Sequence, residues 1–163
     1  MHSSAPVPTN LGPYVLGQTM GDNGLIETRA AVHQADGSEG VATLGEATAV
    51  EADVRDRFER EAQKAVGRMF RHVNPPILWG EDLGWMWCAS RRYSGEHAGH
   101  LMRNHGIPPN HVSLELARQA ALGLQEIHNL ELAHGALSPA SVLIDDDAKV
   151  HLLHFPWARI VLG

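Results

Sequence analysis

His134-Gly135-Ala136-Leu137-Ser138-Pro139-Ala140-Ser141-Val142-Leu143-Ile144-Asp145 is followed, thirteen residues after Ser141, by His154-Phe155-Pro156. The apolar run ending at Ile144 and the alternating run Lys149 to Leu153 predict two short strands, Ser141 to Ile144 and Lys149 to Leu153, turned by Asp145-Asp146-Asp147. The residues ahead of the first strand are a loop of small, hydroxyl and proline residues entered from Leu132 to His134.

Outward from this stretch the periodicity changes. Leu116, Ala120, Leu124 and Ile127 recur at helical spacing and predict a helix from Ser113 to about Asn129. A shorter helix over Ala98 to Asn104 precedes it, separated by the Gly106-Ile107-Pro108-Pro109 break. Further upstream, Asp53 is placed to cap a helix whose buried face carries Val54, Phe58, Ala62, Ala65, Val66 and Met69, and which must stop before Asn74-Pro75-Pro76. Strands are expected at about Tyr14 to Thr19, Leu25 to Gln34, Gly40 to Leu44, Ile77 to Trp79 and Trp85 to Ser90. Trp85 and Trp87 share a strand face, which points them into a core. Residues 1–13, with three prolines and adjacent serines, read as a flexible lead.

Composition narrows the function classes. The chain has 163 residues, 44% hydrophobic and 20% charged, which suits one globular domain rather than a disordered segment. A net charge of -6, with Lys64 and Lys149 the only lysines among 13 basic residues, provides no basic face for nucleic acid. Cys88 is the single cysteine, and neither a secretory leader nor an apolar run long enough for a membrane span is read, so a cytoplasmic protein is expected. Histidines 97, 100, 105 and 111 crowd one stretch, but no acidic residue lies among them at ligand spacing and no H-E-x-x-H occurs. No G-x-S-x-G elbow supports a serine hydrolase.

The opening stretch resembles the catalytic loop and metal-binding turn of the eukaryotic-type Ser/Thr protein kinases, written H-R-D-L-K-P-x-N-I-L-[ILV]-D and D-F-G. His134, Leu137, Pro139, Val142, Leu143 and Phe155 match. The similarity continues in order from Tyr14 to Ile160: Met20-Gly21-Asp22-Asn23-Gly24-Leu25-Ile26 at the glycine loop, Gly40-Val41-Ala42-Thr43-Leu44 at V-A-[IV]-K, Glu61 on the regulatory helix, His72-Val73-Asn74-Pro75 at H-P-N-[IV], and Tyr93-Ser94-Gly95 at the hinge. The resemblance implies an α+β, protein-kinase-like fold: a five-stranded antiparallel N-lobe with one helix over 14–93, and a partial, mainly helical C-lobe over 94–163, incomplete after the D-F-G position.

The positions that do chemistry in the family differ. Ala136 replaces the aspartate base, Ser138 the loop lysine, Ser141 the asparagine and His154 the D-F-G aspartate. Leu44 is read at the phosphate-binding lysine, which leaves Glu61 without its lysine partner. Gly135 replaces the arginine that grips a phosphorylated activation loop, and Pro156 stiffens the metal turn. Asn23 and Ile26 replace two of the loop glycines, and Ile26 obstructs close approach of phosphate.

Magnesium prefers hard oxygen ligands, so this set implies that Mg2+ is not held. ATP is held no more than weakly, through the adenine-pocket positions Gly21, Gly24, Ala42 and Leu143. With no catalytic residue and no resident cofactor, the expected role is a pseudokinase: an interaction or scaffold module in signalling. It would meet a protein partner, or a second copy of itself, through C-lobe surface left uncovered by the missing part. The alternative is a Ser/Thr kinase with residual ATP binding or unorthodox phosphotransfer.

Overall fold

The computed structural model describes residues 6–22 and 26–157. The chain divides into two compact units, Met1–Val66 with Pro76–Arg92, and Gly67–Pro75 with Tyr93–Gly163.

The first unit is an antiparallel sheet carrying one α-helix. Its strands are β1 (Asn10–Leu11), β2 (Tyr14–Asp22), β3 (Glu27–His33), β4 (Glu39–Glu46), β5 (Pro76–Asp82) and β6 (Trp85–Arg91), in the order β1-β2-β3-β4-β6-β5. The five expected strands are present and a sixth, two-residue strand is added. Asn10 and Leu11 pair with Val15 and Tyr14, and Leu11 is wholly buried. The expected flexible lead is therefore corrected at its end: an apolar side chain beside a sheet edge finds a core to enter. Gly12 makes the turn at φ +52, and a Cβ there would lie 2.5 Å from the Trp87 ring.

One face of this sheet is the apolar core, formed by Leu11, Tyr14, Leu16, Ala31, Ala42, Leu44, Trp85, Trp87 and Ala89. Trp85 and Trp87 enter it together, as strand alternation requires.

Helix α1 (Ala52–Ala65) begins one residue before the expected cap, so Asp53 sits inside the first turn. There it complements the helix dipole. The helix ends where Gly67 adopts φ +74, and Met69, expected on the buried face, is 99% exposed.

In the second unit, β7 (Glu96–His97), β8 (Val142–Ile144) and β9 (Val150–Leu152) form an antiparallel sheet beside α2 (Ala98–His105) and α3 (Asn110–His128). Helix α3 starts three residues earlier than its periodicity suggests, because Pro109 fits the position just before a helix and its carbonyl accepts from the N–H groups of Val112 and Ser113.

The segment 67–75, inside the expected N-lobe span 14–93, belongs with this second unit. The N–H groups of Arg71 and His72 donate to the Glu126 carboxylate at 2.7 and 3.0 Å, and His72 and Asn74 exchange backbone bonds with Leu152. Gly123 lets α3 approach, since a Cβ would stand 2.8 Å from the His72 carbonyl oxygen.

Candidate functional site

The loop His134–Ser141 is held by its own buried polar groups. His134 donates from Nε2 to the Leu153 carbonyl at 2.9 Å, which leaves Nδ1 to accept from the Ala136 N–H at 3.4 Å. Burial pushes the His134 imidazole below its ordinary pKa, so it is neutral at pH 7. Ser141 is buried, and its Oγ lies at 3.1 Å from the Ala136 carbonyl, at 3.0 Å from the Ser138 carbonyl and at 2.9 Å from the Ser138 N–H, from which it accepts. The one hydroxyl proton is shared between the two carbonyls, so the side chain is occupied within the loop. The Leu153 N–H closes the arrangement on the Ser141 carbonyl at 2.8 Å. Gly135 adopts φ +81, a conformation available to glycine without strain.

His154 follows at φ +64, uncommon for a residue with a side chain but more frequent for histidine than for most. Burial, together with the neighbouring His97 and His134, lowers its pKa to about 4. At pH 7 this position presents a neutral imidazole. Phe155 and Trp157 beside it are fully buried, which anchors the turn in the unit's core.

Behind the loop, Asp145 accepts from the Asp147 and Lys149 N–H groups at 3.0 and 2.8 Å and meets His151 Nε2 at 2.7 Å. Burial would raise the Asp145 pKa, but the His151 ring and these backbone donors outweigh it and hold the carboxyl below its ordinary value. The Tyr93 ring stacks on His151 at 3.7 Å. Sequence reasoning saw in Asp145-Asp146-Asp147 only a turn. The available signal was His151, a polar residue alternating between the apolar Val150 and Leu152 on a buried strand.

In the first unit, pairing register decides which side chains share a face. Gly21, Thr28, Thr43, Cys88 and Trp79 form one row across the sheet. Helix α1 lies on that face: the Phe58 and Trp79 rings meet edge to face at 6.2 Å, and Arg55 pairs with Glu81. Glu61 is on the buried side of this helix.

Leu44, read at the lysine position, is not in this row. Leu44 points to the opposite face, fully enclosed among the tryptophans, and Thr43 is the β4 side chain on the helix side. A one-residue slip changes the face of every side chain, and the apolar character of Leu44 is explained by the core it enters. Either residue leaves the position uncharged.

Of the four expected adenine-pocket positions, Gly21 lies on the helix-side row with nothing within 4 Å of the place a Cβ would take, Ala42 is enclosed in the apolar core, Leu143 is buried on β8 of the second unit, and Gly24 lies outside the described residues, as do Asn23 and Leu25. Ile26, read as an obstruction to phosphate, is buried. His97 and His100 meet edge to face at 6.1 Å, and among the described residues no group of three or more His, Cys, Asp or Glu is placed to hold a metal ion. No helix among them is long and apolar enough to cross a membrane.

No protein-family model matches the chain. Its sequence is 28% identical over 109 residues to the serine/threonine-protein kinase PknA of Corynebacterium glutamicum, covering 64% of this chain and 23% of that protein. It is 24% identical to the serine/threonine-protein kinase ATG1c of Arabidopsis thaliana, covering 91% of this chain and 21% of the relative. The match to the probable serine/threonine-protein kinase KCC4 of Saccharomyces cerevisiae is 22% identical and covers 98% and 16%. The chain thus spans less than a quarter of each of these relatives.

The PknI kinase domain of Mycobacterium tuberculosis superposes with a TM-score of 0.79 at 21% identity, over 90% of this chain and 60% of that one. A second structure of that domain gives 0.74 at 23% identity, over 90% and 61%. The molecule has the fold of a protein kinase domain, and the sequences it is similar to are those of Ser/Thr protein kinases.

Proposed function

We propose that this kinase-like domain does not transfer phosphate and serves as an interaction module. The observation that carries the reading is the pair of side chains where the family places its magnesium ligands. Ser141 has its hydroxyl engaged by three groups of its own loop, and His154 is a buried, neutral nitrogen donor. Magnesium selects oxygen ligands in near-octahedral geometry, and this donor set does not suit it. Ala136 has no group to accept a proton, and the absence of a general base alone costs about a hundred- to ten-thousand-fold in rate. On the sheet, neither Thr43 nor Leu44 supplies a cation for phosphate.

An interaction role is supported by α3, whose Leu116, Ala120 and Leu124 are only half-buried, leaving apolar area for a protein partner or a second copy. A thermal-shift titration tests the nucleotide half of the reading. ATP with magnesium should raise the melting temperature no more than ATP alone. A magnesium-dependent rise that saturates with ATP would overturn the proposal.

A further inference from the structure

The fold brings together two of the histidines that the sequence only crowds into one stretch. His97 occupies the position just before α2 and His100 lies three residues on, the spacing at which side chains around a helix start meet. Their rings stand 6.1 Å apart, centroid to centroid, inclined by 68°. His97 does not cap the helix with its side chain, and the Gly99 N–H donates instead to the Pro139 carbonyl at 3.0 Å. The His97 Nδ1 is buried and has no hydrogen-bond partner among the described residues, a condition rare enough in folded proteins to call for an explanation. His154 also neighbours His97.

We propose that His97 and His100 form a site for a divalent transition metal ion of the class that binds imidazole, nickel, copper or zinc, with water completing the coordination. A ligating imidazole nitrogen lies about 2.0–2.1 Å from such an ion, which puts the ring centroid roughly 3.2 Å from it and allows two ligating rings up to roughly 6.4 Å between centroids. The observed separation is inside that limit. His100 is exposed, so its ring is free to turn toward the shared point, and its open side admits the water ligands. Imidazole donors suit these metals, whereas magnesium takes oxygen, so the site is independent of the magnesium question raised by Ser141 and His154.

The charges beside the pair offset one another. Glu96 immediately precedes His97 and accepts from the Asn104 amide at 3.0 Å, while Arg103 Nη1 lies 3.5 Å from the place a Cβ on Gly99 would take. Pro139 stands 3.4 Å from that same place, so Gly99 lets the loop lie against the helix start. Two protein ligands, where structural zinc centres have four, give an exchangeable ion rather than one the fold requires.

Isothermal titration calorimetry of the full chain, dialysed against EDTA and then titrated with NiCl2 at pH 7.5, tests the assignment. Saturable binding is expected, and MgCl2 at the same concentrations should not compete with it. Loss of a group that only supports a metal ligand weakens binding about tenfold or more, so removal of a ligand itself should cost at least that. His97→Gln and His100→Gln should therefore each bind at least about tenfold more weakly, while the double variant His105→Gln/His111→Gln, which changes two other exposed histidines of the same stretch, should bind as the parent does. Circular dichroism verifies that each variant stays folded, and because His100 is exposed its variant keeps the test decisive if His97→Gln unfolds. Absence of saturable binding, binding that survives His100→Gln, competition by magnesium, or an equal loss in the His105→Gln/His111→Gln variant would overturn the proposal.

Discussion

The sheet of the first unit and the loop-and-turn region of the second solve the same problem with opposite materials. The sheet hides Tyr14, Leu44, Trp85 and Trp87 on one face, so its frame is apolar and set by register. The loop and the hairpin behind it hide His134, Ser141 and His151, so their frame is a set of hydrogen bonds in which His134 and Ser141 find backbone partners and His151 meets the Asp145 carboxylate. The difference teaches where this domain keeps its buried polar side chains: Ser141, at the position of the family's asparagine, His134 and His151 all tie the chain of the second unit to itself.

The largest expected effect is on the sheet. Leu44→Lys places an ammonium in the tryptophan core and should cost about 4 kcal/mol or more in urea unfolding. Thr43→Lys, on the side of the sheet that carries α1 and Glu61, should cost at least about 2 kcal/mol less. Equal losses would show that the two faces are not distinguished as the register indicates.

The second effect is the contribution of the turn to the pH dependence of stability. His154 is neutral in the fold with a pKa near 4, against about 6.5 for an unfolded histidine, so the unfolded chain binds the extra proton as the pH drops. The stability tied to this group is fully present above pH 6.5 and declines as the pH falls toward 4, by at most about 3 kcal/mol at 1.36 kcal/mol per unit. Unfolding measured from pH 7.5 to 4 should flatten in His154→Asn, since asparagine tolerates the positive φ without titrating. An unchanged profile in that variant would assign the dependence to other groups.

The smallest effect sharpens the account of the loop. Ser141→Ala removes one acceptor and one shared donor and should cost about 1–2 kcal/mol. A loss confined to unfolding free energy fits a side chain that holds the loop. A neutral substitution would contradict that role.

The same contrast explains what could be read in the sequence. The tryptophan face, α1 and the β8–β9 hairpin follow from apolar periodicity, which directly reports burial. What periodicity does not report is polar burial and strand register: that Leu44 lies on the face opposite α1 follows only from the pairing of β4 with β6, and that the Ser141 hydroxyl closes the loop follows only from its backbone partners. Glu126, which anchors the 67–75 segment to α3, carries no local signal, because its partners lie 54 and 55 residues away.

The measurement that bears most directly on the central claim is transfer of radiolabel from γ-labelled ATP, with magnesium or manganese, to the chain itself and to a generic acceptor such as myelin basic protein. The account predicts no incorporation above that of a heat-denatured sample. Incorporation that His154→Ala or Glu61→Ala abolishes would contradict it.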